Sequence, residues 1–151
     1  MKTTIFLRIA SALAIIHAVL HTVGGVFGKP VPGTGAMVAA TMEANRFQVF
    51  GVTRSYADFY RGLGLGITIF LLLSAVIFWQ LGTLAKRQVK SLRPIIAALG
   101  IAFVALAINS QLYFFSGPVV VEILIALCLG AAFFTARKAD DRMTPQGETA
   151  V

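Results

Sequence analysis

Four stretches of this chain lack Lys, Arg, Asp and Glu altogether. They cover residues 9–28, 62–85, 94–121 and 123–136, which are 20, 24, 28 and 14 residues. A helix needs about 20 mostly apolar residues to cross the hydrocarbon core, because the bilayer offers exposed backbone amides no partner. The pattern predicts an all-α fold, an integral membrane four-helix bundle. We expect its spans at residues 4–25, 56–84, 94–115 and 118–136.

The segments outside the spans are short. Residues 36–52, after a Gly- and Pro-rich loop, are too polar to span a membrane, and we expect a short interfacial helix there between spans one and two. Pro94 is expected to open the third span, where its missing N–H costs nothing. Residues 1–136 then form a single transmembrane domain whose first span is retained rather than cleaved. Residues 137–151 are expected to be a disordered cytoplasmic tail.

Composition and charge agree with this layout. Hydrophobic residues make up 58% of the chain and charged residues 13%, against about 25% charged in an average soluble domain. Nine of the thirteen cations lie at the N-terminus, between spans two and three, and in the tail. The nine are Lys2, Arg8, Lys86, Arg87, Lys90, Arg93, Arg137, Lys138 and Arg142.

The charge asymmetry predicts an orientation. The nine cations and the carboxylates of Asp140, Asp141 and Glu148 lie on one side of the predicted spans and give it a net charge of +6. The other side has four cations and three carboxylates, for a net charge of +1. Short basic loops stay in the cytoplasm, so both termini are predicted inside, as in a bacterial inner-membrane protein. Topology and contact with membrane lipids account for the basic charge, and we do not expect nucleic-acid binding.

Polar residues within the spans are concentrated at the predicted outer end. Polar groups are expensive in a membrane, so they tend to face the interior of the protein and to be functional. We therefore expect a polar pocket that opens toward the outer leaflet. Its candidate ligand-binding residues are His17, His21, Asp58, Arg61, Asn109, Tyr113 and Glu122.

The two histidines are four residues apart and so share one face of the first span. Small residues that allow close helix contact continue the same stripe, namely Ala10, Ala14, Gly24, Gly25 and Gly28. The pair is either a ligand or proton-handling site at a helix seam, or two neutral histidines bonded to neighbouring helices. A metal site is not expected, because zinc requires three or four ligands and no Cys is near.

The start of the second span carries Arg54, Asp58 and Arg61 on one stripe. The cluster is either a structural clamp that fixes the outer loop to the bundle, or a functional group in which the carboxylate is oriented for catalysis or an arginine is free to bind an anionic substrate. Gly62 and Gly66, four residues apart, are expected to form a helix-packing face, and the spacing does not match a nucleotide-binding loop.

Glu122 is expected in the first turn of the fourth span, where the helix dipole favours an anion. Asn109, Tyr113 and Ser116 form a stripe on the adjoining span. A carboxylate beside amide and imidazole groups suits general acid–base chemistry or the binding of a polar headgroup, and a purely structural carboxylate is the alternative.

Residues 54–65 read Arg-Ser-Tyr-Ala-Asp-Phe-Tyr-Arg-Gly-Leu-Gly-Leu. This run resembles a signature of an uncharacterised family of small bacterial four-span membrane proteins, and the plan of the chain is similar to that of DoxX-like membrane proteins. His21 followed by Gly24-Gly25 is similar to the family's first helix. The family pattern has an aromatic residue where Ala57 stands here. The resemblance implies a four-helix bundle with both ends inside and brings no established activity.

Two functions remain open at this point. The first is a site for a small lipophilic molecule, such as a lipid, quinone or isoprenoid-like compound, in the outer-facing polar pocket. The second is a non-enzymatic accessory or assembly subunit that packs on itself or on a partner through small-residue helix faces. Transport is less favoured, because no Asp or Glu lies near the middle of a span. The residues do not decide between an enzyme and a binding protein, and they name no cofactor.

Overall fold

The computed structural model describes residues 2–141, and the side chains of residues 2–137. Their regular secondary structure is helical apart from one short β-hairpin. The elements are α1 (Lys2–Leu20), which continues as a π-helix (His21–Val26), then α2 (Thr34–Ala44), β1 (Arg46–Val49), β2 (Val52–Ser55), α3 (Tyr56–Leu84), α4 (Val89–Tyr113) and α5 (Ser116–Asp141).

Four helices are long and apolar enough to cross a membrane. They are Lys2–Val26, Tyr56–Leu84, Val89–Tyr113 and Ser116–Arg137. Large apolar side chains are exposed along all four; Leu20, Ile69, Ile101 and Leu127 each have more than 60% of their surface exposed. Soluble domains rarely expose apolar surface this extensively, so the structure indicates a multi-pass membrane protein.

The first span ends at Val26, within one residue of the predicted end, but its last turns are a π-helix. Gly24 and Gly25 lie within the π-helix, and the backbone approaches itself closely at Gly28, where a Cβ would collide with the Gly24 carbonyl. A π-turn adds a residue to each turn and so rotates the side chains that follow it. Ala10 and Ala14 of the predicted small-residue stripe precede the π-helix and are buried, whereas its three glycines lie within or after the π-helix and are exposed.

The ends of the later spans differ from the prediction in two places. Helix α4 begins five residues before Pro94, so the proline lies inside the helix rather than at its first position. One backbone hydrogen bond is lost there, because proline has no N–H. Helix α5 continues to Asp141 and includes the first residues of the predicted tail. The remainder of that tail, residues 142–151, lies outside the described residues.

The predicted interfacial helix over residues 36–52 is wrong in its second half. Helix α2 ends at Ala44, and residues 46–55 form an antiparallel hairpin that pairs Arg46 with Ser55. Phe50 and Gly51 form its two-residue turn with φ of 47° and 83°, and a positive φ at both positions is typical of a type I′ turn. Apolar residues alternate with polar ones along β1, a period of two that a helix cannot use.

The chain divides into two compact units. The first consists of residues 1–15 and 73–151 and contains the first half of α1, the end of α3, α4 and α5. Its core includes the rings of Phe78 and Phe103, with centroids 5.5 Å apart. The Ser11 hydroxyl donates to the Ala75 carbonyl at 2.7 Å, so polar side chains as well as apolar contacts join α1 to α3.

The second unit, residues 16–72, contains the end of α1, α2, the hairpin and the first half of α3. The ring of Phe47 on β1 packs against the rings of Tyr56 and Phe59 on α3, with centroid distances of 4.9 and 5.5 Å. This aromatic cluster fixes the hairpin to the start of α3. Most candidate residues of the first two spans belong to this unit.

Candidate functional site

His21 is fixed in the second unit by a hydrogen bond to the backbone of α3. Its Nε2 lies 3.0 Å from the Gly64 carbonyl oxygen, and since a carbonyl only accepts, Nε2 carries the hydrogen. In the neutral ring Nδ1 is therefore an acceptor. A Cβ at position 25 would stand 3.4 Å from Nδ1. Because residue 25 is a glycine, this side of Nδ1 is left uncovered. His21 thus combines a structural bond with a ring nitrogen that is available to a ligand.

His17 lies one turn earlier on α1 and is 5% exposed. Its Nδ1 is buried and has no hydrogen-bond partner among the described residues. The two imidazoles are close enough to interact electrostatically. A buried polar atom without a partner is costly, so His17 is the member of the pair that a bound polar group would stabilise more.

Two threonines extend the contact between α1 and α3 beside His21. The hydroxyl oxygens of Thr22 and Thr68 are 2.8 Å apart, and Thr68 also donates to the Gly64 carbonyl at 3.3 Å. A Cβ at Gly64 would lie 2.9 Å from a methyl group of Val26. Gly64 is therefore the glycine that lets α1 approach α3 in this unit.

Within the described residues, no helix packs on the predicted face at Gly62 and Gly66. A Cβ built at either position meets no heavy atom within 4 Å in the part of the chain that the structure describes. The close contact falls at Gly64, which is two residues from each and so on a different face of the helix.

Asp58 has a structural function at the start of α3. Its Oδ2 accepts the Ser55 N–H at 2.9 Å, and its own N–H donates to the Ser55 hydroxyl at 3.1 Å. This reciprocal pair is a capping box, which satisfies backbone donors that the first helical turn leaves unpaired. The Asp58 carboxylate also interacts electrostatically with Arg46 and Arg54.

The arginines around Asp58 differ from the expected arrangement. Arg46, which the sequence analysis did not group with Asp58, acts on its carboxylate because the hairpin places β1 beside the start of α3. Arg61 is exposed, and so is Arg54, whose Nη1 donates to the Thr53 carbonyl at 3.0 Å. The observed bonds of Asp58 are those of the helix cap, and both the clamp and a binding role for Asp58 and Arg61 stay predictions.

Glu122 is the buried carboxyl of the first unit. It is 5% exposed, its Oε2 has no hydrogen-bond partner among the described residues, and the buried Ser110 of α4 lies near its carboxyl group. Asn109 and Tyr113, predicted to stand beside it, are exposed instead. Successive residues of a helix are rotated by about 100°, so α4 turns Ser110 inward and its neighbour Asn109 outward.

An apolar groove runs along α4 and α5 on the outside of the same unit. A part of about 490 Å³ is lined by Val104, Ala107, Ile108, Gln111, Leu112, Val119, Ile123, Ala126 and Leu127. A second part of about 300 Å³ shares Val104 and Ala126 with the first and extends toward Ile96 and Phe133. Gln111 is the one polar residue of the first part. Ser110 and Glu122, both buried and polar, are the sequence neighbours of the groove residues Gln111 and Ile123.

Several of these residues were missed by sequence reasoning. The Ser-x-x-Asp spacing at residues 55–58 is a capping-box signature, so the cap could have been predicted from the sequence. Nothing in the sequence distinguishes Ser110 from its polar neighbours. The groove depends on the packing of α4 against α5 and has no sequence signature. His17, His21, Asp58 and Arg61 belong to one unit, and Asn109, Tyr113 and Glu122 to the other.

Comparison of the chain with family models, curated proteins and solved structures finds no match. The resemblance to DoxX-like membrane proteins therefore stays an expectation drawn from the sequence.

Proposed function

We propose that this protein is a four-helix bundle of a bacterial inner membrane, with both termini in the cytoplasm, that binds a small lipophilic molecule at a site open to the outer leaflet. The observation that carries the proposal is the apolar groove along α4 and α5, which adjoins a buried carboxyl group.

The size and lining of the groove suit an elongated apolar ligand. Small-molecule sites usually have volumes of about 300–1,000 Å³, and the two parts of the groove fall in that range at about 490 and 300 Å³. Because Val104 and Ala126 line both parts, a chain-like molecule can lie across them without leaving the helix pair.

A polar end of the ligand would be recognised at the Gln111 end of the groove. The Gln111 amide both donates and accepts hydrogen bonds. Behind it, Glu122 has an oxygen without a partner and Ser110 has a hydroxyl group. A ligand that donates a hydrogen bond, such as an alcohol or a hydroquinone, would meet this demand.

Native mass spectrometry in mild detergent tests the proposal. Ala126→Trp fills the point that both parts of the groove share, and Leu124→Trp adds the same ring to an exposed position of the same helix that lines neither part. We expect the wild-type protein and Leu124→Trp to retain a lipophilic molecule that Ala126→Trp loses. Glu122→Gln is expected to weaken its retention without emptying the groove.

Other results would contradict the proposal. If Ala126→Trp retains the same molecule as Leu124→Trp, the groove is not its site. If all forms are free of ligand but bound to another copy or another protein, the accessory-subunit function is favoured instead.

A further inference from the structure

Arg8 carries a charge for which the described chain supplies no opposite charge. It lies six residues into α1, about 9 Å from the start of that helix at ~1.5 Å per residue. Within the side chains of residues 2–137, Arg8 forms no ion pair. Charges that are removed from water need an opposite charge or strong hydrogen bonds, and the described side chains supply Arg8 with no opposite charge.

The guanidinium group is held in one orientation by α3. Its Cζ atom lies 3.2 Å from the centroid of the Trp79 ring, a cation–π contact, and Nη2 donates to the Thr83 hydroxyl at 2.8 Å. A Cβ at Gly82 would stand 3.4 Å from Nε, so the glycine gives the side chain its space. Arg8 is therefore positioned on α3 by contacts that leave its charge uncompensated.

Two polar atoms beside this contact have no hydrogen-bond partner among the described residues. They are Nη1 of Arg8 and the hydroxyl oxygen of Thr4, one helical turn earlier on α1. Trp79 and Thr83, which hold the guanidinium group, are both exposed, so the contact lies at the surface of the described chain. A guanidinium N–H and a hydroxyl both donate hydrogen bonds, so an acceptor with several oxygens suits this end of α1.

The surrounding charge favours an anion. Lys86 and Arg87 follow Thr83 directly after α3, and both are exposed. Basic clusters next to membrane spans attract anionic lipids, and arginine forms paired hydrogen bonds to phosphate.

We propose that Arg8, held by Trp79 and Thr83, binds the phosphate group of an anionic phospholipid at this end of α1 and α3. The site is separate from the groove of the proposed function and does not depend on it. A free phosphate ion shares the chemistry, and the experiment below distinguishes the two sources.

Trp79 is the only tryptophan of the chain, so its fluorescence reports on this site alone. The protein is titrated in non-ionic micelles with phosphatidylglycerol, with phosphatidylcholine of the same acyl chains, and with inorganic phosphate. We expect a saturable change in Trp79 emission with phosphatidylglycerol at concentrations at least tenfold below those for phosphatidylcholine. If inorganic phosphate alone gives the change and displaces the lipid, the phosphate site stands and its ligand is the free ion.

Two variants assign the effect to Arg8. Arg8→Gln should weaken phosphatidylglycerol binding at least tenfold, whereas Lys29→Gln, which removes one exposed cation from the loop after α1, should bind as the wild type does. Arg8→Lys keeps the charge without the planar group and should fall between them. If circular dichroism shows that Arg8→Gln does not fold, the binding of phosphatidylglycerol by Arg8→Lys tests the role of Arg8 instead. Equal responses to the two lipids in the wild type, or undiminished binding by Arg8→Gln and Arg8→Lys, would overturn the proposal.

Discussion

The two histidines of α1 share one helix face but differ in how their ring nitrogens are satisfied. His21 bonds the Gly64 carbonyl through Nε2, whereas Nδ1 of His17 is buried without a partner among the described residues. The sequence left open whether they bind a ligand or neighbouring helices. The structure supplies a helix partner for His21 and none for Nδ1 of His17.

This difference predicts opposite effects of two substitutions on stability. His21→Phe should lower the free energy of unfolding by about 1 kcal/mol, because it leaves the Gly64 carbonyl with one bond fewer. His17→Leu should leave the stability of the ligand-free protein unchanged or raise it, because the unpartnered nitrogen is removed. Thermal unfolding in detergent measures both. An equal loss in the two variants would mean that the Nδ1 atom of His17 has a partner.

The capping box at the start of α3 gives a second prediction at the residue scale. Ser55→Ala should destabilise the protein by about 1 kcal/mol, because the hydroxyl that accepts the Asp58 N–H is lost. Asp58→Asn should have a smaller effect on stability than Asp58→Ala, since the amide oxygen can still accept the Ser55 N–H. The comparison uses the same unfolding measurement. If Asp58→Asn is as damaging as Asp58→Ala, the charge of Asp58 matters beyond the cap.

At the scale of elements, α1 and α3 approach each other in the second unit at Gly64. Gly64→Ala should weaken this packing, because its methyl group would stand 2.9 Å from Cγ2 of Val26. Gly62→Ala is the matched control, because Gly62 lies about half a helical turn from Gly64 and a Cβ there has no described atom within 4 Å. This substitution should stabilise α3 by up to about 1 kcal/mol. Unfolding temperatures that fall equally in both variants would show that close contact at Gly64 is not the cause.

Hydrophobic pattern predicted the long helices well and the segment between the first two poorly. The second span begins and ends where it was expected, at Tyr56 and Leu84. A helix cap at Ser55 marks its start, and the charged residues Lys86 and Arg87 follow its end. The hairpin was missed because its strands are only four residues each and its turn contains Phe50, a residue rarely found at positive φ. The π-turn at His21–Val26 has no sequence signature, so the exposure of Gly24 and Gly25 was not predictable.

The candidate site was predicted in part for a related reason. Sequence spacing places residues on a helix face, but it does not say which face turns inward. Glu122 is buried as expected of a site residue, whereas Asn109 and Tyr113 are exposed and Ser110 takes their place beside it. The groove along α4 and α5 required the packing of two helices and was beyond the reach of a single sequence.

At the scale of the whole molecule, the proposed outer-leaflet site depends on how the four spans are oriented in the membrane. The proposed topology of four spans would put the loops after the first and third spans on one side of the membrane, and the basic loop between α3 and α4 on the other. The distribution of cations assigns the basic side to the cytoplasm. The proposed outer-leaflet site requires this arrangement, because Gln111, Ser110 and Glu122 lie near the turn between α4 and α5.

Cysteine accessibility in intact bacterial cells tests this arrangement most directly. In a Cys128→Ser background, single cysteines replace Thr41, Gln88 and Ser116, which are all exposed. A membrane-impermeant thiol reagent should label the Thr41→Cys and Ser116→Cys proteins in intact cells, and the Gln88→Cys protein only after the membrane is opened. Labelling of Gln88→Cys in intact cells, or of Thr41→Cys without Ser116→Cys, would contradict the four-span topology with its termini inside.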